Sequence, residues 1–389
     1  MAEAPRRTKE VPLLFVDGTR VRRSPYWEAT EAAGCLSYDI YNHMLIPGWY
    51  SDFVHEYWHI VNHVALWDVA VERCLEISGP DAHRFTNMLT PRDLDRCAVT
   101  QGKYVVMTDE NGGIINDPVL LRLEENRYWL ALADSDATLW AKGVAVNSGM
   151  DVEVREADAW PLQVQGPKSR DVLRALVGEA VDGVRYYWTL QTDIDGIAVV
   201  ISRTGWTGEL GFEVYLRDDP SKGVALWERI MDAGKPFNIR PTGPSDIRRM
   251  EAGIFNYGGD MTIEHNPLEV TGLERMVEDK QADYVGKEAL LSIKAEGVRR
   301  KLVGMELAGT PLDIDCQEFW PVTSDGVVVG KVTNAVHSPR LDKNIAYAWV
   351  PIELAGHGTK LDVETPVGPA AAQVVPLPFL DPNKEIPKS

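Results

Sequence analysis

With 389 residues, 44% apolar and 25% charged, the chain has ordinary globular composition, room for two or three domains and no signature of disorder. A formal charge of −18 repels phosphate backbones and anionic lipid, which argues against nucleic acid or a membrane as partner. No stretch approaches the roughly 18 apolar residues of a membrane span. The basic segment Met1 to Glu10 precedes only a short apolar run without a cleavage site, and the four scattered cysteines (Cys35, Cys74, Cys97, Cys316) read as reduced thiols, so a cytoplasmic location is expected.

Residues 1–25 are polar and Arg-rich and read as a loosely held lead-in. Phe53, Tyr57, Val61 and Val64 recur at helical spacing and predict a helix over 52–67 with Ser51 as cap. A strand over 74–78 follows, then a helix beginning at Pro80. Residues 104–134 predict a meander: one strand at 104–107, a tight turn at Asn111-Gly112-Gly113, and strands over 114–123 and 128–133. A strand at 162–164 leads through Gln165-Gly166-Pro167 into a helix ending near 177. Strands at 197–202 and 212–216 flank Gly205, Gly208 and Gly211, helices follow at 220–233 and 245–252, and residues 300–380 turn strand-rich. Helices and strands mix without strict alternation, which predicts an α+β fold.

Three local patterns carry candidate chemistry. His55-Glu56-Tyr57-Trp58-His59 fits H-E-x-x-H, and His63 continues the same helix face, but a catalytic zinc needs a third ligand and none follows in a recognisable context; no metal is expected. The Gly205 to Gly211 segment ends in a strand, so it lacks the helix N-terminus of a dinucleotide site. Trp206 sits amid its glycines, and Glu213 and Tyr215 alternate onto one face of the next strand, which allows both to point into one pocket. Asn116-Asp117-Pro118 interrupts an apolar strand, and a carboxylate there is either an edge device or functional.

Read together, Trp67-Asp68-Val69, Gly112 to Asp117, Gln165-Gly166-Pro167, Gly205 to Glu213, Met250-Glu251-Ala252-Gly253, Val285 to Leu290 and Ser338-Pro339 resemble the T-protein of the glycine cleavage system and its folate-dependent relatives, over about residues 38–380. Tyr41 to Leu45, Thr86 to Arg92, Asp109 to Gly113, Asn116 to Leu120 and Ala133 to Asp136 are most similar to its dimethylsulfoniopropionate demethylase branch. The resemblance implies a three-domain cloverleaf around a central folate channel: residues 1–70 with 155–285 as the folate-binding domain, 71–154 as a second α+β domain, and 286–389 as a β-barrel-like domain. It implies tetrahydrofolate as methyl acceptor, Asp117 as the catalytic residue, and Glu213, Trp206 and Tyr104 as folate contacts. Trp206, Tyr215, Tyr41 and His43 are implied to hold a small-molecule methyl donor, and the protein is expected to be a monomer or homodimer.

Three positions depart from the family. Ser245 stands in place of an arginine, Lys384 or Glu385 in place of a C-terminal tyrosine, and Thr207-Gly208-Glu209-Leu210 follows the T-protein pattern rather than that of the demethylase. The donor is therefore open: a sulfonium or quaternary ammonium is expected, with aminomethyl transfer from a lipoyl carrier, O-demethylation of a methoxy-aromatic and a non-catalytic folate binder as rivals.

Overall fold

The computed structural model describes residues 18–314 and 316–389; the apolar run at 11–16 and most of the expected lead-in lie outside the described residues. In the first of three main sheets, Ile239–Pro241, Val64–Asp68, Ala159–Gln165, Gly211–Arg217, Ile197–Ser202 and Thr189–Ile194 lie side by side in that order. Only the first pair is parallel. Helices Ser169–Val177 and Gly223–Gly234 cover one face of it, through Val172, Leu173, Leu226 and Ile230.

Val64–Asp68 is buried at every residue, so both of its faces are apolar and its run prolongs the helical spacing before it. The helix expected over 52–67 is therefore Phe53–Asn62, followed by this strand. Its cap is Asp52, not Ser51: the Asp52 carboxylate accepts from the Val54 and His55 N–H groups, each at 3.0 Å.

The second sheet runs Glu153–Glu156, Cys74–Ser78, Arg127–Ala131, Val119–Glu124 and Gly102–Tyr104, all antiparallel. The division expected at 154/155 falls inside its first strand. Alternation puts Leu75, Ile77, Leu120 and Leu130 under helices Ala82–Met88 and Ala137–Ser148, and Cys74, Leu121, Leu123 and Trp129 against Val200 and Tyr215 of the first sheet. Two expected strands are divided. The run 104–107 splits between Gly102–Tyr104 and Met107–Thr108, and 114–123 splits at Asp117-Pro118 into Ile114–Asn116 and Val119–Glu124, in different sheets. Pro118 has no N–H to continue a ladder.

Arg300–Leu307, Lys343–Pro351, Val327–Ser338, Trp320–Ser324, Lys360–Thr365 and Gly368–Val375 form a closed barrel, which leaves no open sheet edge. The α+β cloverleaf with a C-terminal barrel is thus as expected. No helix among the described residues is long and apolar enough to cross a membrane.

The short helix Asp246–Glu251, capped by the Ser245 hydroxyl, joins the units. The buried Glu251 carboxylate accepts from Tyr57 at 2.8 Å and from Ser338 of the barrel at 2.6 Å, and pairs with Arg248. Arg248 and Arg340 both reach Glu209 of the glycine-rich turn, at 3.0 and 2.8 Å. Arg249 pairs with Asp260 at 2.7 Å, and Asp260 accepts from Thr333 of the barrel. Removing one member strands buried charge. Glu251→Ala is therefore expected to cost about 3–5 kcal/mol in urea unfolding; a loss below about 1 kcal/mol would contradict its place as the junction.

Candidate active site

A cavity of about 150 Å³ lies where the units meet, lined by Glu72, Asp117 and Glu213 and by the rings of Tyr41, Tyr104 and Trp206. Tyr186, Tyr187, Phe255 and Tyr257 add further rings, and Arg275 and Lys384 add cations.

Asp117 stands on the link between two sheets, and its neighbour fixes that link. The Asn116 amide donates to Ala133 O at 2.9 Å and Ser135 Oγ at 2.8 Å and accepts from Ala133 N, replacing a ladder where the strand breaks. The Tyr104 hydroxyl donates to Asp117 Oδ2 at 2.7 Å, while Oδ1 is buried without a hydrogen-bond partner. Burial outweighs the Tyr104 bond and pushes the Asp117 carboxyl up to about 7.

Glu213 sits on a central strand and is nearly inaccessible to solvent. Its Oε2 accepts from Thr204 and Tyr215 at 2.7 Å each, and Oε1 accepts from Gln163 at 3.1 Å. Burial raises its pKa although these donors oppose the shift. The Glu72 carboxylate receives no hydrogen bond from any described side chain, and burial, then Glu213 and Asp117, hold it well above the usual carboxylate range. Three carboxyls in one low-dielectric space resist joint ionisation.

Tyr41 ends a hairpin, Ser37–Tyr41 with Met44–Trp49, whose turn residues Asn42 and His43 both have positive φ. The Asn42 amide donates to Val71, Leu132 and Ala133 carbonyls, which anchors Tyr41 over the cavity. The same turn sends His43 outward, 63% exposed and 3.5 Å from Asp136, so it does not line the cavity as expected. Tyr215 also departs from expectation: it shares the face of Glu213 but is fully buried behind it, against Trp129, and supports the carboxylate instead of lining the cavity.

Trp206 does line it, with Arg249 5.3 Å from its ring centre and Trp67 at 6.0 Å. Its glycine frame follows from close approach. A Cβ at Gly205 or Gly211 would lie 2.2–2.3 Å from the Gln165 side chain, which bonds Thr204 O, Phe212 O and Thr207 across the base of the turn. Gly208 has φ +67° and abuts Ala252.

The H-E-x-x-H residues are spent structurally. Glu56 accepts from the Tyr50, Ser51 and Gly243 N–H groups and the Thr242 hydroxyl; His59 is buried, its pKa lowered to about 4 by that burial, and His55 faces outward, beside Arg240. No group of three His, Cys, Asp or Glu suited to a metal occurs among the described residues.

Glu72, Tyr186, Tyr187 and Arg275 escaped the sequence reading. Glu72 alone left a trace there, as a carboxylate directly after the apolar Val69-Ala70-Val71.

The sequence matches the family described as the GCVT N-terminal domain over residues 26–281 and the glycine cleavage T-protein C-terminal barrel domain over 300–381. It is 40% identical over 349 residues to the dimethylsulfoniopropionate demethylase DmdA of Ruegeria pomeroyi, covering 90% of this chain and 94% of that protein. It is 31% identical over 366 residues to an aminomethyltransferase of Desulfitobacterium hafniense, covering 93% and 98%. The crystal structure of aminomethyltransferase T of the Bartonella henselae glycine cleavage system superposes with a TM-score of 0.83 at 25% identity, over 93% of this chain and 98% of that one. With both family domains matched in order and relatives alike over nearly their whole length, the chain belongs to the glycine cleavage T-protein family.

Proposed function

We propose that this protein moves a methyl group from a small onium donor, such as dimethylsulfoniopropionate or a betaine, to N5 of tetrahydrofolate. Its family makes the chain a tetrahydrofolate-dependent one-carbon transferase; the donor and the residue roles are our reading. The observation that carries it is a cavity in which three carboxyls with raised proton affinity face tyrosine and tryptophan rings. That combination suits an onium cation, each ring contributing roughly 0.5–2 kcal/mol. The 40% identity to a protein named a demethylase supports methyl over aminomethyl transfer. Aminomethyl transfer is the second reading, supported by the relatives at 31% identity that bear that name.

The cavity fits a reduced pterin. Asp117 Oδ1 is a buried acceptor without a donor and Glu213 Oε1 takes a single bond; both residues line the cavity, so N–H groups on a ring edge satisfy them. Tetrahydrofolate, when bound, supplies the amine nitrogen that accepts the methyl group. Glu213, held by Gln163, Thr204 and Tyr215, fixes the ring edge, and Tyr104 aims Asp117. The transfer breaks one bond from methyl to sulfur or nitrogen and forms one to the acceptor amine. Positive charge leaves the donor, and Asp117 Oδ1 takes the proton that the amine sheds. A sulfonium departs as a neutral thioether and needs no acid, so alignment is the main task. Tyr41, Tyr104 and Trp206 face the cation.

Incubation with tetrahydrofolate and a panel of sulfonium and quaternary ammonium compounds should give 5-methyl-tetrahydrofolate by mass spectrometry. Methylene-tetrahydrofolate from an aminomethyl-lipoyl carrier, with no methyl product from any onium compound, would overturn the reading in favour of aminomethyl transfer. Asp117→Asn should lower kcat about 10²–10⁴-fold with little change in folate affinity; wild-type turnover would remove Asp117 from the mechanism. In the wild type, kcat/KM should rise with pH through about 7, as Asp117 ionises, and that limb should vanish in the variant.

The same group sets a stability trend. With its pKa raised from 3.8 to about 7, the folded ligand-free protein holds more protons than the unfolded chain between those values, so stability falls as pH rises through that window. Asp117→Asn should therefore be more stable than wild type above pH 7, by up to about 4 kcal/mol, with the gap closing toward pH 4. A pH-independent gap in thermal unfolding would refute the shift. Glu213→Ala should weaken tetrahydrofolate binding at least about tenfold in titration calorimetry, and unchanged binding would remove Glu213 from the pterin site.

A further inference from the structure

The reading above leaves two cations of the cavity without a role. Glu72, Asp117 and Glu213 take their raised proton affinities from burial, with further carboxylates (Asp260 on Asp117, Glu213 and Asp117 on Glu72); neither Arg275 nor Lys384 perturbs them. Both cations nevertheless line the same cavity. Arg275 stands on the helical turn Glu274–Met276, and Lys384 in the segment after Leu380. Burial, then the Arg275 charge, lower the Lys384 pKa.

Their lack of partners sets them apart. Neighbouring cations are engaged: Arg203 donates to Pro387 O at 3.1 Å, Arg248 pairs with Glu209, and Arg92 lies 3.4 Å from Glu278. Among the described residues, no side chain forms an ion pair or a side-chain hydrogen bond with either Arg275 or Lys384. The nearby Asp381 carboxylate is occupied, accepting from the Glu385 and Ile386 N–H groups at 2.9 and 2.8 Å. The segment that presents Lys384 is itself fixed, by Leu380 N to Glu251 O at 2.8 Å and by the Arg203 bond. Two unpaired cations held on fixed backbone beside a cavity form a receptor for an anion, and a carboxylate suits both guanidinium and ammonium donors.

We propose that Arg275 and Lys384 form a carboxylate-binding subsite in this cavity. The proposal rests on the methyl-transfer reading for the identity of the ligands, since two reactants there carry carboxylates: the glutamate tail of the folate and an onium carboxylate donor. The subsite sets specificity by holding the carboxylate of a ligand whose reactive end lies at Asp117.

Calorimetric titration of wild type, Arg275→Gln, Lys384→Met and the double variant separates the sources without requiring turnover. The ligands are tetrahydropteroate (no glutamate), tetrahydrofolate, its triglutamate, dimethylsulfoniopropionate and trimethylsulfonium. If the folate tail is bound, the double variant loses about tenfold or more in affinity for tetrahydrofolate while tetrahydropteroate is unaffected. If the donor is bound, the same loss falls on dimethylsulfoniopropionate and spares trimethylsulfonium. Lys384→Arg should retain most of the affinity in either case. Equal effects on each carboxylate and its carboxylate-free counterpart, or no effect, would overturn the subsite. A protein that keeps this tail dependence but forms no methyl-folate from any onium donor loses the methyl-transfer reading and keeps the subsite.

Discussion

Burying three carboxyls around one cavity is the constraint that the rest of this molecule serves. Asp117, Glu72 and Glu213 face a shared space, and burial raises the proton affinity of each. Such an arrangement destabilises a folded protein unless a ligand supplies donors or positive charge. An onium cation brings the charge and a reduced pterin the donors, so the groups that weaken the empty fold are those that select the reactants. Stability at the site is exchanged for function, as is usual where strained or desolvated groups persist.

Holding the carboxyls requires polar fixtures that are themselves satisfied. Side-chain amides do much of this work. Asn42 anchors the Tyr41 hairpin, Asn116 bridges the strand break before Asp117, and Gln165 ties the base of the glycine-rich turn. Each replaces backbone bonds where regular structure stops, so no orphaned peptide group is added to the cost of the buried acids. The ionic junction at helix Asp246–Glu251 then locks that turn, the first sheet and the barrel together. Trp206 inherits its position from this frame, because Gly208 abuts Ala252 directly after the helix and Arg249 lies over the indole.

What could be read from the sequence divides along physical lines. Local patterns fixed by a backbone requirement were legible: the glycines at 205, 208 and 211, the turn at 111–113, the strands at 74–78 and 197–202, and the polar break at Asp117. Boundaries failed where two periods coincide, as at Val64, whose apolar run continues a helical spacing yet belongs to a doubly buried strand. Strand alternation gave the face of Tyr215 but not its depth, so a supporting hydroxyl was read as a cavity wall. His43 was misread because its positive φ, which turns the chain outward, is a property of the hairpin and not of the histidine. Arg275 left no pattern at all, and Glu72 only a carboxylate after an apolar run, because a lone charge gains its meaning only from what other segments bring beside it.

Proton exchange on ligand binding tests the central electrostatic claim most directly. Donors from the pterin favour the ionised carboxylates, so tetrahydrofolate binding near pH 7 should release protons, seen as a binding enthalpy that varies with the ionisation enthalpy of the buffer. Asp117→Asn should release fewer. A binding enthalpy independent of buffer, or net proton uptake, would contradict the account of a cavity whose buried acids await the ligand's donors.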